Sequence, residues 1–555
     1  MKKLLYSVLI LTILVVGYGL YAQDGSIMSN MPCHEMADGT QMGDCNAKQE
    51  VGLLSELTPG SQSTESLFAT ARSTSIVDVA DKETFTLSAN IVQKEINGNT
   101  YTMYGYNNQI PGPAIRVNQG SEITVEFTNN IDMETTVHWH GLRHDIEYDG
   151  VPGTSQEPVQ PAESFTYELY FPDDGIYWYH PHVREDLQQD GGLSGNMLSI
   201  PTTPYNPVNQ EELIILDDIL IENEEIVPYG NEHSNFAVMG RFGNVMLTNG
   251  ETHYELEVNA GDVVRLYVTN VANVRPYNLS IPGAEMKLVG SDIGQYEYEE
   301  FVDHVVIAPA QRVFVDVYFE ESGEYQLMNI NPHEKYVLGT IVVAEQSSEQ
   351  SYTESFYDDT ENAEVIADIQ SFSEYFDKEV DYDITLDVDM PNMMAGAPCH
   401  VMGTMIMGDC TDAQRTQFQE EIGHKAQAIE WEDEMNMKMS GEGVEWILRD
   451  STGAENTDIE MTAQVGDVVK MRFFNDPESM HPMQHPIHLH GQRFVITHID
   501  GEEVKNKAWT DTALVPIGST VDILIDVTNP GEWMLHCHIA EHLEEGMMAS
   551  FTVTP

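Results

Sequence analysis

From residue 76 onward, apolar residues alternate with polar ones in short runs broken by Gly, Pro, Asn and Asp, the pattern of half-buried β-strands. Three of these runs are versions of one phrase. SEITVEFTN runs from Ser121 to Asn129 after Gly120, DVVRLYVTN from Asp262 to Asn270 after Gly261, and DVVKMRFFN from Asp467 to Asn475 after Gly466. A second element follows each: GIYWYH from Gly175, GEYQLM from Gly323 and GEWMLH from Gly531, at Gly-to-Gly intervals of 55, 62 and 65 residues. One β-rich unit therefore occurs three times, and the pattern predicts an all-β chain of three β-sandwiches. The first two units start 141 residues apart and the last two 205 apart, so an insertion precedes or interrupts the third. The boundaries read as 76–205, 206–345 and 370–555, with an acidic linker at 346–369 and a flexible Ser/Thr/Met-rich lead at 23–75.

A length of 555 residues suits three to four domains. Asp and Glu number 91 against 25 Lys and Arg, for a net charge of −66, which repels nucleic acid and anionic membranes and favours cationic partners. The start, Met1-Lys2-Lys3 followed by an apolar run to Leu20 and then Ala22, reads as a signal peptide over 1–22. An uncleaved anchor is the alternative. The expectation is a periplasmic or secreted protein with no integral membrane association after cleavage.

Ten of the 20 His fall in four motifs: His138-Trp-His140, His180-Pro-His182, His485-Pro-Ile-His488-Leu-His490 and His536-Cys537-His538-Ile-Ala-Glu-His542. Residues i and i+2 of a strand share a face, so each His-x-His presents two imidazoles together, eight in all. His180 and His182 stand five and seven residues after Gly175, as His536 and His538 do after Gly531; the middle unit has Met328 and Ile330 there, and Pro276-Tyr277-Asn278 in place of the other pair. The first and third units thus supply four ligands each and the second none, which predicts a metal cluster between the first and third with the second as spacer. Cys537 points to the opposite face from His536 and His538. With His485, His542 and Met547 it makes two imidazoles, a thiolate and a thioether, the set of a blue electron-transfer copper. Zinc, the rival, would leave the eight other His unexplained and Met547 idle.

With these motifs in this order, the sequence resembles the three-domain multicopper oxidases, the family of laccases and bacterial copper-efflux oxidases, over about residues 80–555. The resemblance implies three cupredoxin-like Greek-key domains and four coppers: type 1 on His485, Cys537, His542 and axial Met547; type 2 on His138 and His488; and a type 3 pair on His140, His180, His182, His490, His536 and His538. It also implies that single electrons taken from a reductant at type 1 reduce O2 to water at the cluster. Asp149, nine residues after His140, matches an acid of the family that serves the proton supply. A second acid often follows the last type 1 His, but here that place is Leu543; nearby Glu541 and Glu544 are candidates for its role, with a solvated loop charge the favoured reading of both.

The phrase Pro32-Cys33-His34-Glu35-Met36 with Met42-Gly43-Asp44-Cys45 recurs as Pro398-Cys399-His400-Val401-Met402 with Met407-Gly408-Asp409-Cys410. Each copy either closes a disulfide or binds copper. The second lies in a Met-rich insertion at 390–439, where Met393, Met394, Met402, Met405, Met407, Met435, Met437 and Met439 are candidate Cu(I) ligands. Ordinary packing of these methionines is the plain alternative. Copper-efflux oxidases carry such an insertion near type 1, and Glu430, Glu432, Asp433 and Glu434 would suit a cation. The reading is therefore a Cu(I) oxidase in copper tolerance, against a laccase acting on phenols and aromatic amines. A copper-sequestering protein or a nitrite reductase would not need the full set of eight His.

Overall fold

The computed structural model describes residues 56–64, 67–358, 360–390, 428–432 and 438–555, with short pieces at 34–35, 41–42, 399–402, 405–407, 411, 413–414 and 417. The signal peptide expected at 1–22 lies outside the described residues. Among those residues no helix is long and apolar enough to cross a membrane.

Sheets dominate residues 56–555, and they come in three successive pairs within residues 69–200, 210–344 and 382–554. The first pair has two five-stranded sheets; the second and third each pair a six-stranded with a five-stranded sheet, in matching strand order. Parallel neighbours, such as Gln210–Ile219 with Val263–Asn270 and Tyr382–Asp389 with Val468–Asn475, force the chain to cross between layers. Apolar side chains on alternate positions fill each sandwich: Val125, Phe127 and Tyr167 in the first; Leu266, Val268 and Val315 in the second; Met471, Phe473 and Ile523 in the third.

The repeated phrase has a structural cause at both of its ends. Gly120, Gly261 and Gly466 enter their strands at φ of +83, +87 and +96°, a left-handed turn that disfavours a side chain. Asn129, Asn270 and Asn475 close the phrase as buried staples. Nδ2 of Asn129 donates to the carbonyls of Met133 and Val159 (2.9 and 2.8 Å), that of Asn270 to Arg275 and Ile307 (2.8 and 2.9 Å), and that of Asn475 to Met483 and Val515 (2.7 and 2.9 Å). Each side chain ties the loop leaving its strand to a carbonyl further along its unit, which at Ile307 and Val515 belongs to the opposite sheet.

Three expectations need correction. The 346–369 stretch is not an open linker: helices Thr353–Tyr357 and Ala363–Gln370 bury Phe356 and Ile369, and Lys287 Nζ donates to the carbonyls of Phe356 and Asp358. Aromatic and apolar residues set among acids are enough to seat it. The described end of the 23–75 lead is also held: Leu57 is buried and exchanges backbone hydrogen bonds with Tyr229, and Ala69–Thr70 pairs with Val92–Gln93. In the middle unit, Met328 lies opposite Ser280, so Ser280 rather than Pro276-Tyr277-Asn278 occupies the place of His138. The twice-occurring Cys-His phrase forms the same antiparallel hairpin each time, with His34 opposite Met42 and His400 opposite Met407.

Replacing Asn270, whose unit supplies no candidate ligand, with Leu strands two carbonyls and the amide of Ala272, which Oδ1 accepts at 3.0 Å. The expected loss is on the order of 2–4 kcal/mol, read as a lower denaturation midpoint; an unchanged midpoint would show that these groups find other partners.

Candidate metal centre

Strand register brings the histidines together. His138 on His138–His140 faces His180 on Gly175–His180, and His488 on His485–Leu489 faces His536 on Gly531–Cys537. The first and third sheet pairs then meet ring to ring: His140 stacks on His488 with centroids 3.7 Å apart, and His138 on His490 at 4.0 Å. Coordinating atoms gather within 4.8 Å of one another in the groups His138/His140/His488, His140/His180/His538 and His182/His490/His536. No residue of the second sheet pair belongs to these groups among the described residues.

The hydrogen bonds show that these imidazoles fit a cation. In four of these rings one nitrogen points at a backbone carbonyl: His138 Nδ1 at that of Asp149 (2.7 Å), His180 Nδ1 at that of Pro181 (2.9 Å), His488 Nδ1 at that of Asp511 (2.8 Å) and His536 Nδ1 at that of Cys537 (2.9 Å). A carbonyl only accepts, so the proton sits on that nitrogen and the other keeps a bare lone pair. Those inward nitrogens, Nε2 of His138, His180, His182, His488 and His538 and Nδ1 of His140, are buried without a partner. His490 and His536 point Nε2 at each other, 3.0 Å apart, although their Nδ1 atoms are already engaged. Such lone pairs in a dry interior are costly unless a cation takes them. Burial, reinforced by neighbouring rings, holds His180, His490 and His536 well below the usual imidazole range and His182 at about 3, so all are neutral ligands.

Two aspartates brace the cluster in opposite senses. Asp149 gives its carbonyl to His138 of its own unit and its carboxylate to His490 Nδ1 of the third (2.8 Å). Asp511 gives its carbonyl to His488 of its own unit and its carboxylate to His140 Nε2 of the first (3.0 Å). Burial alone would raise both carboxyls. It is outweighed by His490 and His138 at Asp149 and by Arg312 and His140 at Asp511, which hold both well below the ordinary carboxylate range. Asp149 was anticipated; Asp511 was not, because it follows His488 by 23 residues where Asp149 follows His138 by 11.

On the other face of Gly531–Cys537, the buried Sγ of Cys537 lies 3.5 Å from His485 Nδ1 and 3.6 Å from His542 Nδ1. Buried Met547 is joined to both: its carbonyl accepts from the Cys537 amide and its amide donates to the His542 carbonyl. Burial pushes the Cys537 thiol up, so thiolate formation there calls for a cation. Trp446 stacks on His542 at 3.7 Å and donates Nε1 to the Ala237 carbonyl (2.7 Å); nothing in its sequence context marked it. Of the candidate Cu(I) methionines, Met393, Met394, Met435 and Met437 lie outside the described residues, and so do the side chains of Met402, Met405 and Met407. Met439 is buried and bonds through its backbone to Asn235 and Ala237. Both precede Val238, whose carbonyl meets His542 Nε2 at 3.4 Å.

Glu541 corrects the reading as a solvated loop charge: it is 1% exposed, and burial beside Asp186 and Asp190 raises its carboxyl well above the ordinary range. Glu185, unforeseen in the sequence, is also buried and raised, chiefly by desolvation, with Oε1 3.2 Å from His182 Nδ1. The centre therefore holds carboxyls pushed above the ordinary range, Glu185 and Glu541, as well as carboxyls held below it, Asp149 and Asp511.

Comparison with known proteins agrees with this chemistry. Profiles described as multicopper oxidase match residues 89–201, 177–348 and 428–555. Relatives include a multicopper oxidase of Staphylococcus aureus, 24% identical over 85% of this chain and 89% of its own, and Laccase-1 of Cryptococcus neoformans, 25% identical over 88% and 83%. A crystal structure of a multi-copper oxidase from Pseudomonas thermotolerans superposes with a TM-score of 0.63 at 26% identity, covering 86% of this chain and all of that one.

A pH dependence follows from the buried imidazoles. His182 and His485 fall from an ordinary 6.5 to about 3. The unfolded chain therefore takes up these protons first. Stability of the metal-free protein is fully present above about 6.5 and declines as pH falls toward 3. Denaturation midpoints of metal-free protein across that window check it; a flat profile would contradict it.

Proposed function

The chain belongs to the multicopper oxidase family, and from that premise we propose an exported, three-domain Cu(I) oxidase with O2 as acceptor. The domains are 76–205, 206–345 and 370–555. We assign His485, Cys537, His542 and Met547 to type 1 copper, His138 and His488 to type 2, and His140, His180, His182, His490, His536 and His538 to the type 3 pair. The inward lone pairs of the imidazoles carry this assignment. Copper bound at these residues would supply one-electron oxidation of the reductant at Cys537 and four-electron reduction of O2 at the imidazole cluster.

The chain's own residues do the rest. Strand alternation puts Cys537 on one face and His536 and His538 on the other, so adjacent residues join the two sites through a few covalent bonds. Asp149 and Asp511 hold imidazoles across the boundary between units, and Glu185 and Glu541, whose carboxyls burial raises, stand beside it. The preference for Cu(I) rests on the Met-rich insertion, with candidate ligands Met393, Met394, Met402, Met405 and Met407 in the sequence, and on its nearness to further methionines: Met439 and Met483 share the apolar cluster of Cys537 and Met547, and Met239, Met390 and Met480 pack against it. Thioethers favour Cu(I) over Cu(II), and the surplus of acids attracts a cation.

Cys537→Ser should remove the blue colour and the oxidase turnover together; turnover without colour would sink the type 1 assignment. Substrate choice is tested by oxygen uptake with chelated Cu(I) and with a simple phenol. The comparison protein has residues 391–427 replaced by a short linker, keeping the contacts of Trp431, Glu432 and Met439. Loss of Cu(I) oxidation with phenol oxidation kept or raised is expected. Both activities unchanged would make the chain a laccase whose insertion is not the substrate port.

A further inference from the structure

The second sheet pair supplies no ligand, yet one of its arginines reaches the imidazole cluster. Arg312, on strand Arg312–Tyr318, is fully buried. Its Nη1 and Nη2 donate to Oδ1 and Oδ2 of Asp511 at 2.7 and 2.5 Å, a bidentate fork into the third unit. Its Nε donates to the Ile176 carbonyl of the first unit at 2.9 Å, and Nη1 also donates to Ala310 of its own at 3.1 Å. Asp292 accepts the Arg312 amide at 2.7 Å and the hydroxyl of Thr510, the residue before Asp511. One guanidinium thus touches all three units. The approach leaves no slack: Gly141, directly after His140 and at φ +88°, lies so near that a Cβ there would be 2.5 Å from Asp511 Oδ2 and 2.8 Å from Arg312 Nη2.

His140 is the odd ring of the cluster. Its neighbours turn a bare Nε2 inward, whereas His140 turns Nδ1 inward because Nε2 is engaged by Asp511 Oδ1. The opposite brace, Asp149, has only His138, His144 and His490 as cationic or potentially cationic neighbours and no arginine among the described residues. We propose that Arg312 is a positioning residue of the metal cluster: by clamping Asp511 it imposes the reversed tautomer on His140 and seats the Asp511 carbonyl on His488. The middle unit is then part of the site rather than a spacer. This rests on reading the imidazole cluster as a copper site.

The test uses the copper-loaded full chain titrated with a copper chelator. Retained copper and the electron paramagnetic resonance spectrum report the cluster, and the blue absorption is an internal reference for the Cys537 site. Arg312→Gln should weaken retention of cluster copper by about 10- to 100-fold and leave the blue band in place. Arg312→Lys should fall between, since an ammonium keeps the charge but not the fork. A parental titration curve and spectrum in Arg312→Gln would overturn the proposal. Should that variant not fold, Arg312→Lys carries the test: weakened retention of cluster copper with the blue band kept supports the clamp, and a parental titration curve and spectrum overturn it. If the unaltered protein holds copper only at the blue site, the cluster reading fails and the proposal with it, without recourse to any variant.

Discussion

Everything at the centre depends on one constraint: an imidazole in a dry interior has to have its outer nitrogen held by an oxygen if its inner lone pair is to be aimed. Carbonyls of Asp149, Pro181, Asp511 and Cys537 and the carboxylates of Asp149 and Asp511 meet that need. Several of these oxygens belong to the strand ends or loops that carry the histidines, so the sheets must be complete before the rings are oriented. The two carboxylates belong to one unit and act on the other. The boundary between the first and third units is thereby specified by hydrogen bonds as much as by apolar area.

A chain with 91 acids and 25 basic residues uses several of its arginines internally. Arg241, Arg265, Arg275 and Arg312 are all fully buried, facing Asp190, Asp316, Asp218 and Asp511. Buried ion pairs add little net stability over an apolar packing, but removing one partner is severe. Their value here is direction: each fork fixes a carboxylate, and at Asp511 that carboxylate in turn fixes a ring. The acids left unpaired give the chain its strongly negative net charge.

Much of this was legible in the linear chain because β-structure writes its geometry with a period of two. The Gly-to-Asn phrase marked each unit, and the spacing of His180, His182, His536 and His538 from their glycines paired the first unit with the third. Alternation alone separated Cys537 from its flanking histidines. What was missed involves partners far apart in sequence. Glu541 looked like a loop charge because the acids whose charge adds to its burial, Asp186 and Asp190, lie more than 350 residues earlier. Trp446 gave no sign that it would stack on His542, and the 346–369 segment was too acidic to announce that Phe356 and Ile369 would be buried.

The sequence by itself determined the repeated β-unit, the identity of the candidate ligand side chains and the face of the strand on which each stands, since these follow from local chirality and pleat. Only the tertiary structure decided which nitrogen of each ring is bare, which carboxyls are raised and which lowered, and that Arg312 reaches the imidazole cluster from a unit without candidate ligands. Those properties depend on the distance and desolvation of groups brought together by packing, and such distances have no local signature.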